Sequence, residues 1–190
     1  MGKEFELKYA ATPEIQQVLL AELGDCARIA METTYYDTPG RELSARHITL
    51  RRRYENGVSV CTLKAPLGKN SRREWETEAA TIEEGLPALC KLSNWQELAE
   101  ITAQGLMPLC GARFTRHAAT VALPDCTVEI AVDAGVLTAG EKEVPLCEIE
   151  VELKSGSEDA AVYFAGVLAA KYGLRREPKS KFRRAMDLVE

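Results

Sequence analysis

Histidine is nearly missing from this chain, with His47 and His117 its only two. The six cysteines, Cys26, Cys61, Cys90, Cys110, Cys126 and Cys147, include no C-x-x-C pair. A His/Cys zinc site and a disulfide framework are therefore not expected, and the thiols read as buried and reduced. No apolar run reaches the length of a membrane span, and no apolar h-region follows the charged start Met1-Gly2-Lys3-Glu4. A cytoplasmic protein without membrane association is expected. Glu6 stands where a myristoylation motif opening at Gly2 needs Ser or Thr, which removes that anchor as well. A basic excess is also lacking. The formal net charge of −5 speaks against a nucleic-acid partner, and any anionic ligand must be gripped by locally clustered cations.

What is present is the composition of a folded protein, 46% hydrophobic and 28% charged over 190 residues, long enough for one domain spanning residues 1–190. Its recurring feature is alternation. In an extended strand, Glu4, Glu6 and Lys8 share one face while Phe5, Leu7 and Tyr9 share the other. The same pattern returns with Thr49, Arg51 and Arg53, with Val60, Thr62 and Lys64, and with Arg72, Glu74, Glu76 and Glu78. It returns again with Thr127, Glu129, Ala131 and Asp133, and in Cys147-Glu148-Ile149-Glu150-Val151-Glu152-Leu153. Residues 29–36 and 113–123, the latter carrying Arg116, also read as strands. Asn56-Gly57 marks a tight hairpin, and Gly68 and Asn70 fall in a polar loop.

Three stretches read as helices. Thr12-Pro13-Glu14 is a cap, a first-turn proline and an acid, followed by Ile15, Val18, Leu19 and Leu23 at helical spacing and a stop at Gly24. Residues 83–104 are mostly helical, with Ser93 as a cap. Ser157-Glu158-Asp159 opens a long helix with Val162, Phe164, Leu168 and Tyr172 on its apolar face, closed by Gly173.

A solvated charged face is the ordinary explanation for any one of these strands. Collectively, the charged faces cluster acids with bases, and the apolar helix faces need apolar strand faces to cover. An α+β fold follows, with the sheet closed into a barrel, helices packed on the outside and charges lining the interior. Such a lumen must be wet or filled by an ion-rich ligand. Its acids call for a hard divalent cation and its bases for an anion, and a polyphosphate with bound magnesium answers both. A transmembrane barrel alternates in the same way, but the intervening helices and the absent h-region disfavour it.

The motifs Glu4-x-Glu6-x-Lys8, Tyr35-Tyr36-Asp37-Thr38, Leu50-Arg51-x-Arg53, Thr62-Leu63-Lys64, Arg72-x-Glu74-x-Glu76, Arg116, Asp133, Glu150-x-Glu152 and Ser180-Lys181, in this order, resemble the CYTH family of triphosphate tunnel metalloenzymes. The resemblance is greatest to its bacterial inorganic triphosphatases. It implies a closed antiparallel eight-stranded β-barrel whose tunnel holds a linear triphosphate with Mg2+ or Mn2+. It also implies metal ligation by Glu4, Glu6, Glu150 and Glu152, with Glu76 and Asp133 as further ligands. Lys8, Arg51, Arg53, Lys64, Arg116 and Lys181, with Arg72 as a weaker candidate, would grip phosphate oxygens. Lys8, Glu76, Glu150 and Glu152 are the expected catalytic set. Hydrolysis of tripolyphosphate to pyrophosphate and phosphate is the leading expectation. Thiamine triphosphatase, class IV adenylyl cyclase and a non-catalytic polyphosphate or nucleotide binder are the alternatives, in a monomer or a homodimer.

Overall fold

The computed structural model describes residues 2–67 and 71–189, so the loop expected at Gly68 and Asn70 lies outside the described residues. In chain order the elements are β1 (Gly2–Ala10), α1 (Pro13–Leu23), β2 (Ala27–Asp37), α2 (Glu42–Ala45), β3 (Thr49–Glu55), β4 (Val58–Pro66) and β5 (Ser71–Glu78). They continue with α3 (Ile82–Ser93), α4 (Glu97–Thr102), β6 (Met107–Ala122), β7 (Cys126–Ala139), β8 (Lys142–Gly156), α5 (Glu158–Tyr172), β9 (Arg175–Arg176) and α6 (Lys181–Met186).

The strands pair antiparallel in the order β5-β4-β3-β2-β6-β7-β8-β1. β1 then returns to β5, with Glu4 opposite Arg72, and closes the eight-stranded barrel. Farther along the chain β1 takes the short β9, with Tyr9 opposite Arg176. Closure removes the exposed sheet edges. Asn56 and Gly57 join β3 to β4 with φ of 50° and 91°, as a type I′ turn requires. Gly135 allows a close approach of β6 to β7, since a Cβ there would lie 2.1 Å from the carbonyl oxygen of Arg113.

Two apolar clusters lie between the barrel wall and the helices. One joins Phe5, Leu7, Tyr9, Val128, Ile130, Ile149 and Val151 to α1 and α5 through Leu19, Ala161, Ala165 and Leu168. The other joins Leu50, Cys61, Leu63 and Trp75 to α3 and α4 through Ile82, Leu89, Leu98 and Ile101. Strand parity thus sends the apolar faces outward, and the covering helices keep them from water.

A third cluster fills part of the barrel interior. Met31, Tyr35, Ala112, Phe114, Leu137 and Leu146 pack there against Phe182, Ala185 and Met186 of α6. The basic tail, Arg175 to Arg184, thus ends in a helical plug, α6, amphipathic in its own right.

Several boundaries move from their expected places. β2, β6 and β8 each extend beyond the stretches read from alternation, because cross-strand pairing continues where the alternation fades. Residues 83–104 form two helices, since Asn94 at φ 52° ends α3. Ser93 closes that turn and caps no new helix: its hydroxyl donates to the Cys90 carbonyl and accepts from the Trp95 amide. Val18 and Val162 are 52% and 46% exposed, so neither belongs to the apolar face assigned to it. In α5 the buried contact is made by Ala161, Ala165 and Leu168, with Phe164 and Tyr172 packed against the same cluster as expected.

Candidate active site

A cavity of about 960 Å³ runs into the barrel, lined by Glu4, Glu6, Lys8, Arg51, Arg53 and Lys64, and by Arg72, Arg116, Glu150, Glu152 and Lys181. Every expected phosphate-gripping residue is among them. The strand register explains the convergence, because Glu6 stands opposite Glu152 and Lys8 opposite Glu150 on neighbouring strands. Likewise Thr49, Arg51 and Arg53 of β3 oppose Lys64, Thr62 and Val60 of β4.

The acids and bases are paired with one another. Lys64 Nζ reaches both carboxylate oxygens of Glu4 at 2.7 Å and Glu74 at 3.2 Å. Lys8 bonds Glu6 at 2.9 Å, and Glu152 meets Lys154 at 2.9 Å. Arg51 lies 3.4 Å from Glu74, and Arg53 pairs with Glu55. Arg72 is spent on the wall, donating to the carbonyls of His47 and Lys64 and to Thr49 Oγ1.

Deeper in, Asp133, Glu148 and Glu150 bring carboxylate oxygens within 4.8 Å of one another, all three residues being buried. Arg116 forks onto Asp133 through Nε at 2.8 Å and Nη2 at 2.7 Å, and also contacts Glu150. Lys181 Nζ sits 2.8 Å from both Asp133 and Glu150 and touches Glu148, which Arg184 contacts as well. Three carboxylates thus meet three cations in a largely buried cluster at the cavity wall.

Burial would raise the Glu150 carboxyl, but Lys181 and Arg116 hold it well below the usual carboxylate range. Burial pushes Glu148 up, to about 7, against the pull of Lys181 and with Glu150 adding repulsion. Lys181 and Arg116 are both raised, since their carboxylate partners outweigh a burial that would lower them. Lys8 is raised too: burial works against its charge, and Glu6 more than restores it. Glu152 is raised by burial, against Lys154 and with help from Glu4 and Glu129. Arg53 is lowered by burial and by Arg51 beside it.

Of the residues expected to bind metal, the structure gathers Asp133 and Glu150. Glu4, Glu6 and Glu152 line the same cavity outside that tight group. Glu76 is exposed and accepts a hydrogen bond from Thr62 Oγ1 at 3.0 Å. Glu148 and Arg184 were absent from the expected site. Glu148 shares strand parity with Glu150 and Glu152, and Arg184 lies one helical turn beyond Lys181, so both were marked by spacing once the tail is seen as a helix.

The geometry is accompanied by clear relationships. A family model described as the CYTH domain matches residues 2–186. An inorganic triphosphatase of Haemophilus influenzae is 30% identical over 97% of this chain, and the chain spans about half, 54%, of that protein's length. A putative adenylate cyclase from Bacillus halodurans superposes with a TM-score of 0.69 at 18% identity, covering 97% of this chain and 98% of that one. A Hippeastrum protein, HpAC1, described as a putative adenylyl cyclase with a dominant triphosphatase activity, superposes at 0.68 with 17% identity over 100% of this chain and 97% of its own. At these identities the superpositions establish the shared fold. Among the described residues no helix is long and apolar enough to cross a membrane.

Proposed function

The chain belongs to the CYTH domain family, and from that premise we propose that it hydrolyses a linear triphosphate, inorganic tripolyphosphate above all, to pyrophosphate and phosphate in its tunnel. The inorganic triphosphatase named among its relatives supports this reading. The observation that carries it is the cavity of about 960 Å³ in which Arg51, Arg53, Lys64, Arg116 and Lys181 face Glu4, Glu6, Glu150 and Glu152. Among the described residues, the Nε atoms of Arg51, Arg52, Arg53, Arg72 and Arg184 are buried without a hydrogen-bond partner, and Arg51, Arg53 and Arg72 of these line the cavity. Their Nη2 atoms already have partners in the wall, but a buried Nε–H without an acceptor is costly, and a phosphate oxygen suits it.

The donor set also suits a divalent metal ion. It is all carboxylate, the hard oxygen environment that Mg2+ or Mn2+ takes, and one of its members, Glu150, converges with Asp133 and Glu148 within 4.8 Å. Glu4, Glu6, Glu150 and Glu152 would hold it, with Asp133, Glu148 and Glu76 as further acids. When bound, such an ion neutralises charge on phosphate oxygens and lowers the barrier to attack by water.

The remaining roles belong to side chains. Arg51, Arg53 and Lys64 hold one flank of the phosphate chain, and Arg116 and Lys181 the other, which fixes the scissile bond along the tunnel. Lys8, its ammonium kept protonated by Glu6, acts as a donor to a phosphate oxygen and has no part as a base. The Glu6–Glu152 cross-strand pair offers acceptors that orient a water toward the terminal phosphorus. Attack by the water forms one P–O bond as the bond to the bridging oxygen breaks, pyrophosphate leaves with that oxygen, and the water's proton passes through the carboxylate pair to solvent.

A phosphate-release assay with tripolyphosphate, ATP and thiamine triphosphate, with Mg2+, Mn2+ or excess chelator, tests this. Tripolyphosphate should have the highest kcat/KM, and chelator should abolish turnover. Pyrophosphate and cyclic AMP from ATP would move the reading to a cyclase, and undiminished hydrolysis in chelator would overturn the metal assignment.

A further inference from the structure

Four non-glycine residues among those described have positive φ, namely Arg41, His47, Asn56 and Asn94. The two asparagines need little explanation, because that side chain tolerates the left-handed region and both sit at turns. Arg41 at φ 56° and His47 at φ 58° are different. They bracket the single turn of α2, and both line the mouth of the tunnel. Strained backbone persists where the surroundings over-determine it, and it concentrates at functional sites.

Here the surroundings are identifiable. Asp37 is fully buried, and its Oδ1 accepts from the amides of Thr38 at 2.8 Å and Leu43 at 2.9 Å. Its Oδ2 accepts from the amide of Ser44 at 2.9 Å and the hydroxyl of Ser44 at 2.5 Å. At the other end of the loop, the His47 carbonyl accepts from Arg72 Nη2 at 2.8 Å. The segment from Thr38 to His47 is thereby fastened at both ends, and Arg41 lies between the two fastenings.

The other cations at the mouth are engaged. Lys179 lies 2.5 Å and Arg183 3.5 Å from Asp187, and Arg176 stacks over the Tyr9 ring at 5.2 Å. Arg41 is exposed, and its guanidinium has no hydrogen bond or ion pair among the described residues. An uncommitted charge fixed at a tunnel entrance by a strained, clamped loop discriminates by the charge of whatever protrudes there.

We propose that Arg41 is a specificity-determining residue at the tunnel mouth and that Asp37 is the residue that positions it. Resting on the triphosphatase reading, this assigns Arg41 to the outer end of the substrate. There it favours the free, multiply charged terminal phosphate of an inorganic chain over a neutral nucleoside or a cationic heterocycle. The discrimination is attractive toward the first and repulsive toward the last.

The test is Arg41→Gly, because glycine accepts the left-handed conformation without strain. The thermal midpoint should stay level or rise. The KM for tripolyphosphate should rise about tenfold, the scale of one charge-assisted contact. The KM for ATP should change by less than about twofold, and that for thiamine triphosphate should fall. Because Arg41 touches only the outer end, kcat should be largely retained. Asp37→Asn should shift the same KM ratio, and combining it with Arg41→Gly should shift it no further. An unchanged ratio, or an equal rise in KM for all three substrates, would overturn the assignment. If the wild-type protein releases no phosphate from any of them, the triphosphatase reading falls. Calorimetric affinities of both proteins for tripolyphosphate and ATP then decide the role of Arg41 separately.

Discussion

Lys181 is the side chain on which most buried charge in the tunnel depends. Its ammonium contacts Asp133, Glu148 and Glu150, and its side chain is 10% exposed. Removing one partner of a buried ion pair leaves the others desolvated and unbalanced, which costs about 3–5 kcal/mol in typical cases. Lys181→Met should therefore lower the unfolding free energy by about 3 kcal/mol in chelator, read by urea titration. Adding Glu150→Gln to that variant should restore part of the loss, because it removes one of the stranded charges. A variant as stable as the wild type would show that the cluster does not need its lysine. Cys110 gives a second expectation, at high pH. Burial pushes its thiol up to about 12, whereas an unfolded chain loses that proton near about 8.5. Between those values the native state holds a proton that the unfolded state has released. The contribution to stability is therefore complete below the lower value and is lost as pH rises through the upper one. Cys110→Ala should flatten the alkaline slope of stability, and an identical slope would assign it to other groups.

At the scale of elements, the strands were legible and the tail was not. Alternation placed Glu4, Glu6, Lys8, Arg51, Arg53, Lys64 and Glu150 on one side because a strand has only two faces, and closure chose the inner one. Asn56-Gly57 specified its hairpin by local backbone preference. The ion pairs were not legible, since they depend on register between strands far apart in sequence, such as Lys64 of β4 with Glu4 of β1. α6 was missed because six residues, Lys181–Met186, are too few for a convincing period. What fixes it is the cap, where Ser180 accepts from the Arg183 amide at 3.1 Å, and its apolar side, where the Phe182 ring lies 5.1 Å from that of Tyr35. Phe182→Ala should lower stability by about 2 kcal/mol, less than a fully buried phenylalanine because the ring is half-buried. It should also reduce turnover, because Lys181 and Arg184 are carried by the same turn. Unaltered kcat at reduced stability would separate the plug from the chemistry.

The whole molecule is acidic, with a net charge of −5, yet its tunnel has acids and bases in apposition, and under the proposed function this should couple the binding of metal and polyphosphate. In the wall Glu4 pairs with Lys64 and Glu6 with Lys8. A divalent ion alone would take the carboxylates and leave those lysines facing one another without anions. A polyphosphate alone would take the lysines and leave the carboxylates repelling its own charge. Bound together, each ligand supplies the charge that the other strips from the wall, so each should bind more tightly when the other is present. Linkage makes the effect reciprocal: the factor by which Mg2+ strengthens tripolyphosphate binding must equal the factor by which tripolyphosphate strengthens Mg2+ binding, typically about 5–150-fold. Calorimetry on a variant slowed in turnover, such as Glu150→Gln, can close this cycle, provided that the affinity of free Mg2+ for tripolyphosphate in solution is subtracted. Lys64→Met should shrink the coupling, because Glu4 is then unpaired at the outset and binding the ion strands only Lys8. Equal affinities with and without the second ligand would mean that the wall pairs persist on binding, and that metal and phosphate occupy the tunnel independently.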